Sequence, residues 1–178
     1  SPGEMLATTT HDTKRSEDAR ARINVLSEMP DAWQIAVMRW RRLNAANRNR
    51  LVGNQAPDAN DEYLFYQALV GAWPAERDDA PLPSHAPPDL VGRLGTFMQK
   101  AIREAKVHTS WITPNPDYET AVARFVERTL TGRTAPAFLA SFVPFARRTA
   151  VAGMLNSLSQ LVLKIASPGV ADFYQGTE

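Results

Sequence analysis

The sequence MLATTTHDTKRSED, residues 5–18, decides which fold the chain is expected to adopt. Its first six residues combine apolar and β-branched side chains, which favours a short buried strand. His11 and Asp12 follow that segment, and a helical pattern begins at Ser16. Catalytic groups of parallel barrels sit where strands end, because the loops there converge on a pocket. This stretch is therefore both a predicted strand end and a candidate site.

Beyond this stretch the chain is predominantly helical, because apolar side chains recur at spacings of three and four. Helices are predicted to begin at or near Ser16, Pro30, Asp61, Asp89, Asn115, Pro136 and Val151. Asp61 is the expected cap of the third helix. Trp33 and Trp40 share one stripe and are expected to pack in the core. Pro144 is expected to kink or break the helix that contains it.

Two polar or proline-rich segments are predicted to be loops. Residues 47–60 contain a glycine and a proline, and residues 74–88 hold five of the 13 prolines. A second strand-like segment, Val170 to Tyr174, follows the Pro168-Gly169 turn. Two lone strands so far apart in sequence are odd for a free-standing domain. We therefore predict that they belong to a sheet whose other strands lie outside this chain.

Composition excludes several functional classes. The 178 residues include no cysteine, so disulfides, thiolate metal sites and cysteine nucleophiles are excluded. The formal net charge of +1 provides no global field for nucleic acid or an anionic membrane. No apolar run approaches the roughly 20 residues of a membrane helix. We expect no metal, cofactor, nucleic-acid or membrane partner, and a cytoplasmic location.

Residue chemistry alone leaves the role of His11 and Asp12 open. A His-Asp pair before a helix can be a cap or a surface hydrogen bond, or it can face a pocket. Lys14 and Arg15 are similarly consistent with solvated cations or with a binding role.

Four blocks of the sequence resemble the maltooligosyltrehalose synthase family, in the order of that family. The blocks are THDTKRSED at 10–18, YLFYQ through GAWP at 63–74, HTSWI with PN at 108–115, and PGV with DFYQGTE at 168–178. The His11-Asp12 pair also resembles the last conserved segment of the α-amylase superfamily. Ala171 departs from the pattern, since proline is expected before Asp172.

The resemblance implies a fold class that is mainly α. It implies a helical subdomain inserted between the seventh and eighth strands of a (β/α)8 barrel, with short strand-like ends. Residues 1–15 would hold the seventh strand and the His-Asp motif, 16–165 the inserted subdomain, and 166–178 the eighth strand. The rest of the barrel would lie outside this chain.

The implied activity is that of a (1→4)-α-D-glucan 1-α-D-glucosylmutase. This intramolecular transglycosylation converts the reducing-end α-1,4 bond of a maltooligosaccharide into an α,α-1,1 (trehalose) bond. Asp12 would be the third carboxylate, which stabilises the transition state, and His11 would donate a hydrogen bond to the same sugar. The family's nucleophile and general acid lie upstream, so the isolated chain is expected to be inactive. The implied partners are a maltooligosaccharide and the remainder of the barrel.

Further substrate-binding residues are implied by the same resemblance: Lys14, Arg15, Tyr63, Lys106, Trp111 and Asn115. Trp111 is the candidate wall that stacks on the displaced glucose, and a core tryptophan is the alternative. Of Tyr63 and Tyr66, one is expected to be core. Tyr174 and Glu178 are expected near the floor of the pocket, and Asp172 is expected to be structural.

Three other functions stay open at this level. The first is a helical interaction module without catalysis. The second is nucleic-acid binding through a local arginine run near Trp40: Arg39, Arg41, Arg42, Arg48 and Arg50. The third is a fragment of a maltooligosyltrehalose hydrolase of the same clan, although the block around Trp111 favours the synthase.

Overall fold

The computed structural model describes residues 3–51, 53–75 and 79–174. Six α-helices make up most of this part of the chain, which confirms the mainly helical class. The helices are α1 (Glu17–Val25), α2 (Pro30–Leu43), α3 (Ala59–Ala72), α4 (Pro88–Ala105), α5 (Pro116–Thr131) and α6 (Ala135–Ala166). The strands are β1 (Met5–Ala7), β2 (Asn49–Leu51), β3 (Asn54–Ala56) and β4 (Val170–Asp172).

The two terminal strands pair with each other in parallel. Met5 lies opposite Val170 and Ala7 opposite Asp172. Both strand predictions are therefore confirmed, although β1 ends at Ala7 and not at Thr10. Parallel strands need a long crossover connection, and here the helices supply it. A sheet of two strands is marginal alone. That the pair forms the seventh and eighth strands of a barrel stays a prediction.

Helix α1 follows the His-Asp segment and is held closely between α3 and α6. It begins as predicted at Ser16, whose hydroxyl accepts a hydrogen bond from the Ala19 N–H. A Cβ placed on Gly153 of α6 would lie 2.9 Å from the Cα of Arg22. A Cβ on Gly71 of α3 would lie 3.1 Å from the Ala19 carbonyl oxygen. The missing side chains allow both helices to approach the backbone of α1.

An aromatic core joins α2 to α6. Trp40 is fully buried, and its ring lies 5.3 Å from Phe142 and 6.0 Å from Phe138 of α6. Its indole N–H donates to Ser141 Oγ at 3.2 Å. Trp33 is also buried and contacts Trp40 edge-on. The prediction that these two tryptophans pack in the core is confirmed.

The segment 47–60 departs from the predicted loop. It contains an antiparallel hairpin of β2 and β3, with Gly53 at a φ of +80° in the turn. Three-residue strands are too short to show an alternating pattern. The cap of α3 is Asp58 and not Asp61: Asp58 Oδ1 accepts a 2.8 Å hydrogen bond from the Asp61 N–H. The correction follows from capping geometry, in which the cap reaches an N–H three residues ahead.

The predicted break at Pro144 and the separate helix start near Val151 are both wrong, because α6 is continuous from Ala135 to Ala166. Pro144 is exposed, whereas Val143 and Ala146 on either side of it are buried. Proline removes one backbone donor, but tertiary packing of the same helix can outweigh that loss. The helix starts predicted near Pro30, Asp89 and Asn115 are confirmed.

The second half of α6 exposes apolar side chains. Within the described residues, α6 has the length and the apolar composition that a membrane-crossing helix needs. Core helices of soluble proteins can have the same length and composition. Its first half packs in the aromatic core, and its second half buries Gly153 and Lys164. Seven apolar side chains between 48% and 67% exposed form what we call the open apolar face: Val151, Met154, Leu155, Leu158, Val162, Leu163 and Ile165.

Candidate functional site

The loop that carries His11 and Asp12 leaves the end of β1 and turns at Thr10. The Thr13 N–H donates to the Thr10 carbonyl oxygen at 3.2 Å, and the Asp12 N–H lies 3.4 Å from Thr10 Oγ1. The His11 Nε2 lies 3.4 Å from Asp12 Oδ1, and both side chains are about three-quarters exposed (77% and 76%). The carboxylate is therefore a surface group, next to an imidazole that can donate to it.

A surface cavity of about 300 Å³ lies beside this loop. Its lining includes His11, Lys14, Arg15 and Tyr174, which brings together three of the predicted site residues and the aromatic side chain after β4. Asp12 lies between lining residues and is itself outside the lining. Tyr174 lines this cavity, and that the cavity belongs to the expected sugar pocket stays a prediction. Glu178 lies outside the described residues.

The two cations of the loop bind α4. Lys14 adopts a left-handed backbone conformation with φ of +64°, and its Nζ lies 3.3 Å from Glu104 Oε1. The Arg15 guanidinium lies over the Phe97 ring, 5.1 Å from its centroid. Burial lowers the pKa of Arg15, which nevertheless stays protonated at neutral pH. These contacts attach the His-Asp loop to the last turns of α4.

Trp111 lies on the surface, just beyond α4. Its side chain is 55% exposed, which rules out the core alternative. The Arg103 guanidinium stacks on the indole, 4.8 Å from the ring centroid. Arg103 also donates two hydrogen bonds to Glu119, at 2.8 and 2.6 Å. An exposed aromatic ring supported in this way is a suitable platform for the apolar face of a sugar.

The Glu119 carboxylate is the anchor of this platform. Besides Arg103, it accepts a 2.7 Å hydrogen bond from Thr109 Oγ1. The hydrogen bonds from Arg103 lower the pKa of Glu119 to about 2, although partial burial opposes the shift. The sequence analysis missed both Arg103 and Glu119, since residues 16 apart reveal nothing of their pairing without a structure.

The predicted substrate residues near Trp111 differ in character. Asn115 caps α5: its Oδ1 accepts from the Tyr118 N–H at 3.2 Å, and its Nδ2 donates to the His108 carbonyl oxygen. Lys106 ends α4 in a left-handed conformation and is exposed. Asn115 therefore has a structural role in shaping the Trp111 loop, and Lys106 lies next to that loop with its side chain exposed.

Tyr63 packs against Trp33 of α2 and is not among the residues that line the cavity beside the His-Asp loop. Its hydroxyl accepts a 2.8 Å hydrogen bond from the Trp33 indole N–H, and its side chain is partly exposed. Tyr66 is fully buried and donates to Glu62 at 2.9 Å, which confirms that one of the two tyrosines is core. Burial strongly raises the pKa of the Tyr66 hydroxyl.

The arginine run near Trp40 is partly neutralised inside the protein. Arg41 and Arg48 both bind the buried Glu62 carboxylate, at 3.3 and 3.0 Å. Two of the five guanidinium groups are therefore committed to a structural ion pair, which weakens the case for a nucleic-acid surface. Within the described ranges, no three His, Asp or Glu side chains are grouped so that they could hold a metal ion.

Comparison with known proteins shows close relatives of this chain. No family model matches it. It is 34% identical over 188 aligned positions to the "Putative maltooligosyl trehalose synthase" of Mycobacterium tuberculosis H37Rv, and the match covers 99% of this chain and 20% of that protein. A solved structure described as a maltooligosyl trehalose synthase superposes with a TM-score of 0.78 at 40% identity, covering 97% of this chain and 21% of the other.

A second solved structure agrees with the first. A mutant of maltooligosyltrehalose synthase from Arthrobacter ramosus superposes with a TM-score of 0.78 at 34% identity, covering 99% of this chain and 20% of the other. The strand pair and the helices therefore match one segment of much longer chains. The chain corresponds to a fragment of the maltooligosyl trehalose synthase family, spanning about one fifth of the length of its relatives. The resemblance drawn from its four sequence blocks is confirmed.

Proposed function

We propose that this chain is the segment of a maltooligosyl trehalose synthase that supplies the transition-state-stabilising carboxylate, Asp12. The proposed reaction is the intramolecular conversion of a reducing-end α-1,4 bond into an α,α-1,1 bond. The chain itself is inactive in this proposal, because a retaining mechanism also needs a nucleophile and a general acid about 5 Å apart. Those two groups would come from the rest of the enzyme.

The observation that carries this proposal is the parallel pairing of β1 and β4, with the Asp12 loop at its edge. The carboxyl ends of parallel strands lie on the same side of a sheet, where ligands of parallel barrels bind. Asp12 follows β1 and Tyr174 follows β4, so both lie at this edge. Asp12 is exposed in this chain. In the proposed enzyme, the other strands of the barrel and the bound sugar would surround its carboxylate.

The charge on Asp12 would act on a sugar whose reacting carbon becomes positively charged. A carboxylate placed beside that carbon stabilises the charge without reorganising, and one such group typically contributes about 10²–10³ in rate. His11, 3.4 Å from Asp12, would share in holding the hydroxyls of that sugar. Lys14 and Arg15 line the same cavity and would bind further hydroxyls at its side.

Retention of the displaced glucose is the step that separates this reaction from hydrolysis. The released sugar must turn and attack again before water does, which favours aromatic walls and exclusion of water. Trp111 is the proposed wall, with Lys106 beside it. The contact of Lys14 with Glu104 and the stacking of Arg103 on Trp111 involve consecutive residues of α4. That turn of α4 therefore links the platform to the His-Asp loop.

The partner proposed for the open apolar face is the rest of the same enzyme. Exposed apolar patches of this kind mark surfaces that are covered in the working protein. The relatives are about five times as long as this chain, and the open apolar face belongs to the helix that leads into β4. Strands flanking β1 and β4, and the helices that cover them, would bury this surface. The proposed domain limits, 1–15, 16–165 and 166–178, follow from this arrangement.

The other functions considered from sequence have less support. The matched proteins are described as synthases, which favours the synthase over a hydrolase of the same clan. A helical interaction module would also expose apolar side chains, but the chain aligns with only 21% of a much longer solved structure, which supports a surface covered by further segments. A cytoplasmic location is part of the proposal and fits a cysteine-free chain.

The test is Asp12→Asn in the full-length enzyme, measured as formation of trehalose-ended product from maltopentaose. Turnover should fall by at least about 10²-fold, because the negative charge is lost while the shape is kept. Binding of maltopentaose, measured by calorimetry, should persist.

The matched control is Asp31→Asn, which changes an exposed carboxylate on α2 and should leave turnover unchanged. Near-normal turnover of the Asp12→Asn enzyme would remove Asp12 from the site. Trehalose-ended product from the isolated 178-residue chain would contradict the proposed inactivity of the fragment.

A further inference from the structure

A buried ammonium group lies where the two terminal strands, α1 and α6 meet. The Lys164 Nζ is 3.5 Å from Glu17 Oε2, and the two side chains are only 2% and 5% exposed. The same Nζ donates a 2.9 Å hydrogen bond to Thr8 Oγ1 and lies 4.3 Å from the centroid of the Phe173 ring. Thr8 is the first residue after β1, and Phe173 is the first after β4. Lys164 thus contacts the carboxyl end of both strands.

These contacts hold the Asp12 loop at both of its ends. At its start, Lys164 binds Thr8, and Arg20 of α1 donates to the Thr8 carbonyl oxygen and to Thr9 Oγ1. At its end, Glu17 is the first residue of α1 and pairs with the same ammonium. The loop between these anchors projects Asp12 into solvent. The position of its carboxylate relative to the strand edge therefore depends on the anchors.

Stability alone does not account for this arrangement. Removing two charges from water costs more than an ion pair usually returns, and packed apolar side chains of similar volume are often as stable or more so. A buried ion pair does, however, hold its partners in one geometry, because an unpaired charge at the same place would be strongly unfavourable. This pair is thus suited to fixing the geometry of the loop.

We propose that Lys164 and Glu17 are positioning residues, which set the place of the Asp12 carboxylate by anchoring the loop that carries it. The inference rests on the proposed function, since it assigns these residues a role in the action of Asp12. Neither residue would touch the sugar. A displacement of about 1 Å at a reacting group can cost about 10²-fold in rate, so a loosened anchor should reduce turnover without removing any group from the site.

The first test measures the loop directly, by ¹⁵N relaxation of the deuterated full-length enzyme. In Lys164→Met, the order parameters of the Thr9 to Thr13 amides should fall from about 0.8 to below about 0.6, while those of α5 stay unchanged. Lys100→Met removes an exposed lysine of α4 and is the matched control, with no expected change. Unchanged order parameters in the loop of Lys164→Met would overturn the inference, whatever the enzyme's activity.

The second test measures turnover in the full-length enzyme. Lys164→Met should lower kcat about 10- to 100-fold with KM within about threefold, and Lys164→Arg should recover part of the loss. The double variant Lys164→Met with Glu17→Leu removes both charges and should restore the unfolding temperature but not kcat. If kcat recovers together with the unfolding temperature, the pair is merely structural and the inference fails.

The failure of the proposed function has a different signature. If Asp12→Asn retains full turnover, the role of Asp12 is refuted. If Lys164→Met still lowers the order parameters of the loop in that case, Lys164 anchors the loop even though Asp12 has no catalytic role. The relaxation experiment and the Asp12→Asn experiment therefore separate the two ideas.

Discussion

The close contact of α1 with α6 at Gly153 allows us to predict how much a larger residue at this position would destabilise the protein. In Gly153→Ala, the new Cβ would lie 2.6 Å from Arg22 Cγ and 2.9 Å from Arg22 Cα. Carbon atoms prefer separations of about 3.5–4.0 Å, so the two helix backbones must move apart by about 0.6–1 Å. Overpacking of this kind costs about 1–3 kcal/mol.

Alanine also has a higher helix propensity than glycine, and the prediction must include this gain. The gain is about 1 kcal/mol in a helix interior, so Gly153→Ala should be neutral to about 2 kcal/mol destabilising. Gly92 of α4 is the matched control, because a Cβ there meets nothing within 4 Å. Gly92→Ala should stabilise the protein by about 0.5–1 kcal/mol. Both variants gain helix propensity, so their free energies of unfolding should differ only by the overpacking cost, with Gly153→Ala less stable than Gly92→Ala by about 1–3 kcal/mol.

The assay is urea-induced unfolding of the 178-residue chain, followed by circular dichroism at 222 nm. Thermal unfolding of the same variants should give the same ranking, with roughly 2–4 °C in unfolding temperature for each kcal/mol. If Gly153→Ala is as stable as Gly92→Ala, α1 does not approach α6 as closely as described. The position of the Asp12 loop, which leads directly into α1, would then need a different explanation.

Two further predictions concern the Trp111 platform. In the full-length enzyme, Trp111→Ala should raise the share of free glucose released relative to trehalose-ended product. Ile112→Ala, at an exposed neighbouring position, is the control and should not change this ratio. An unchanged ratio in Trp111→Ala would refute the proposal that Trp111 retains the displaced glucose. The second concerns Glu119, whose pKa the hydrogen bonds from Arg103 lower to about 2, below the value of about 4.3 expected in the unfolded chain. The ionised carboxylate therefore stabilises the fold above about pH 4.3, and that contribution is lost as the pH falls towards 2. Glu119→Gln should flatten the decline of the urea midpoint between about pH 5 and 2.5, and equal slopes for the two proteins would contradict the assignment.

Local patterns in the sequence were sufficient for much of the fold. Ser16 and Asn115 cap helices where expected, because capping depends on a side chain and an N–H only a few residues away. The error at Asp61 was an error of three residues within the same rule. Pro144 shows the limit of such rules, since buried neighbours on both sides keep α6 continuous through it.

Some residues of the candidate site could likewise be selected from the sequence, and others could be found only in the structure. His11 and Asp12 could be selected from sequence because they form one contiguous block that resembles a family motif. Arg103 and Lys164 could not, since their roles depend on partners 16 and 147 positions away, Glu119 and Glu17. The helical stripe predicted that Trp40 is buried, but no such pattern surrounds Trp111. Only the folded structure showed that Trp111 is exposed.

The sequence by itself determined the family, the helical class and the two strand-like ends, because these follow from contiguous motifs and from periodicity within one element. The tertiary structure alone decided that β1 and β4 lie side by side in parallel and that Lys164 lies beneath their carboxyl ends. The physical reason is that both facts depend on contacts between residues more than 150 positions apart. Such contacts form only when the intervening helices pack, and no local propensity encodes them.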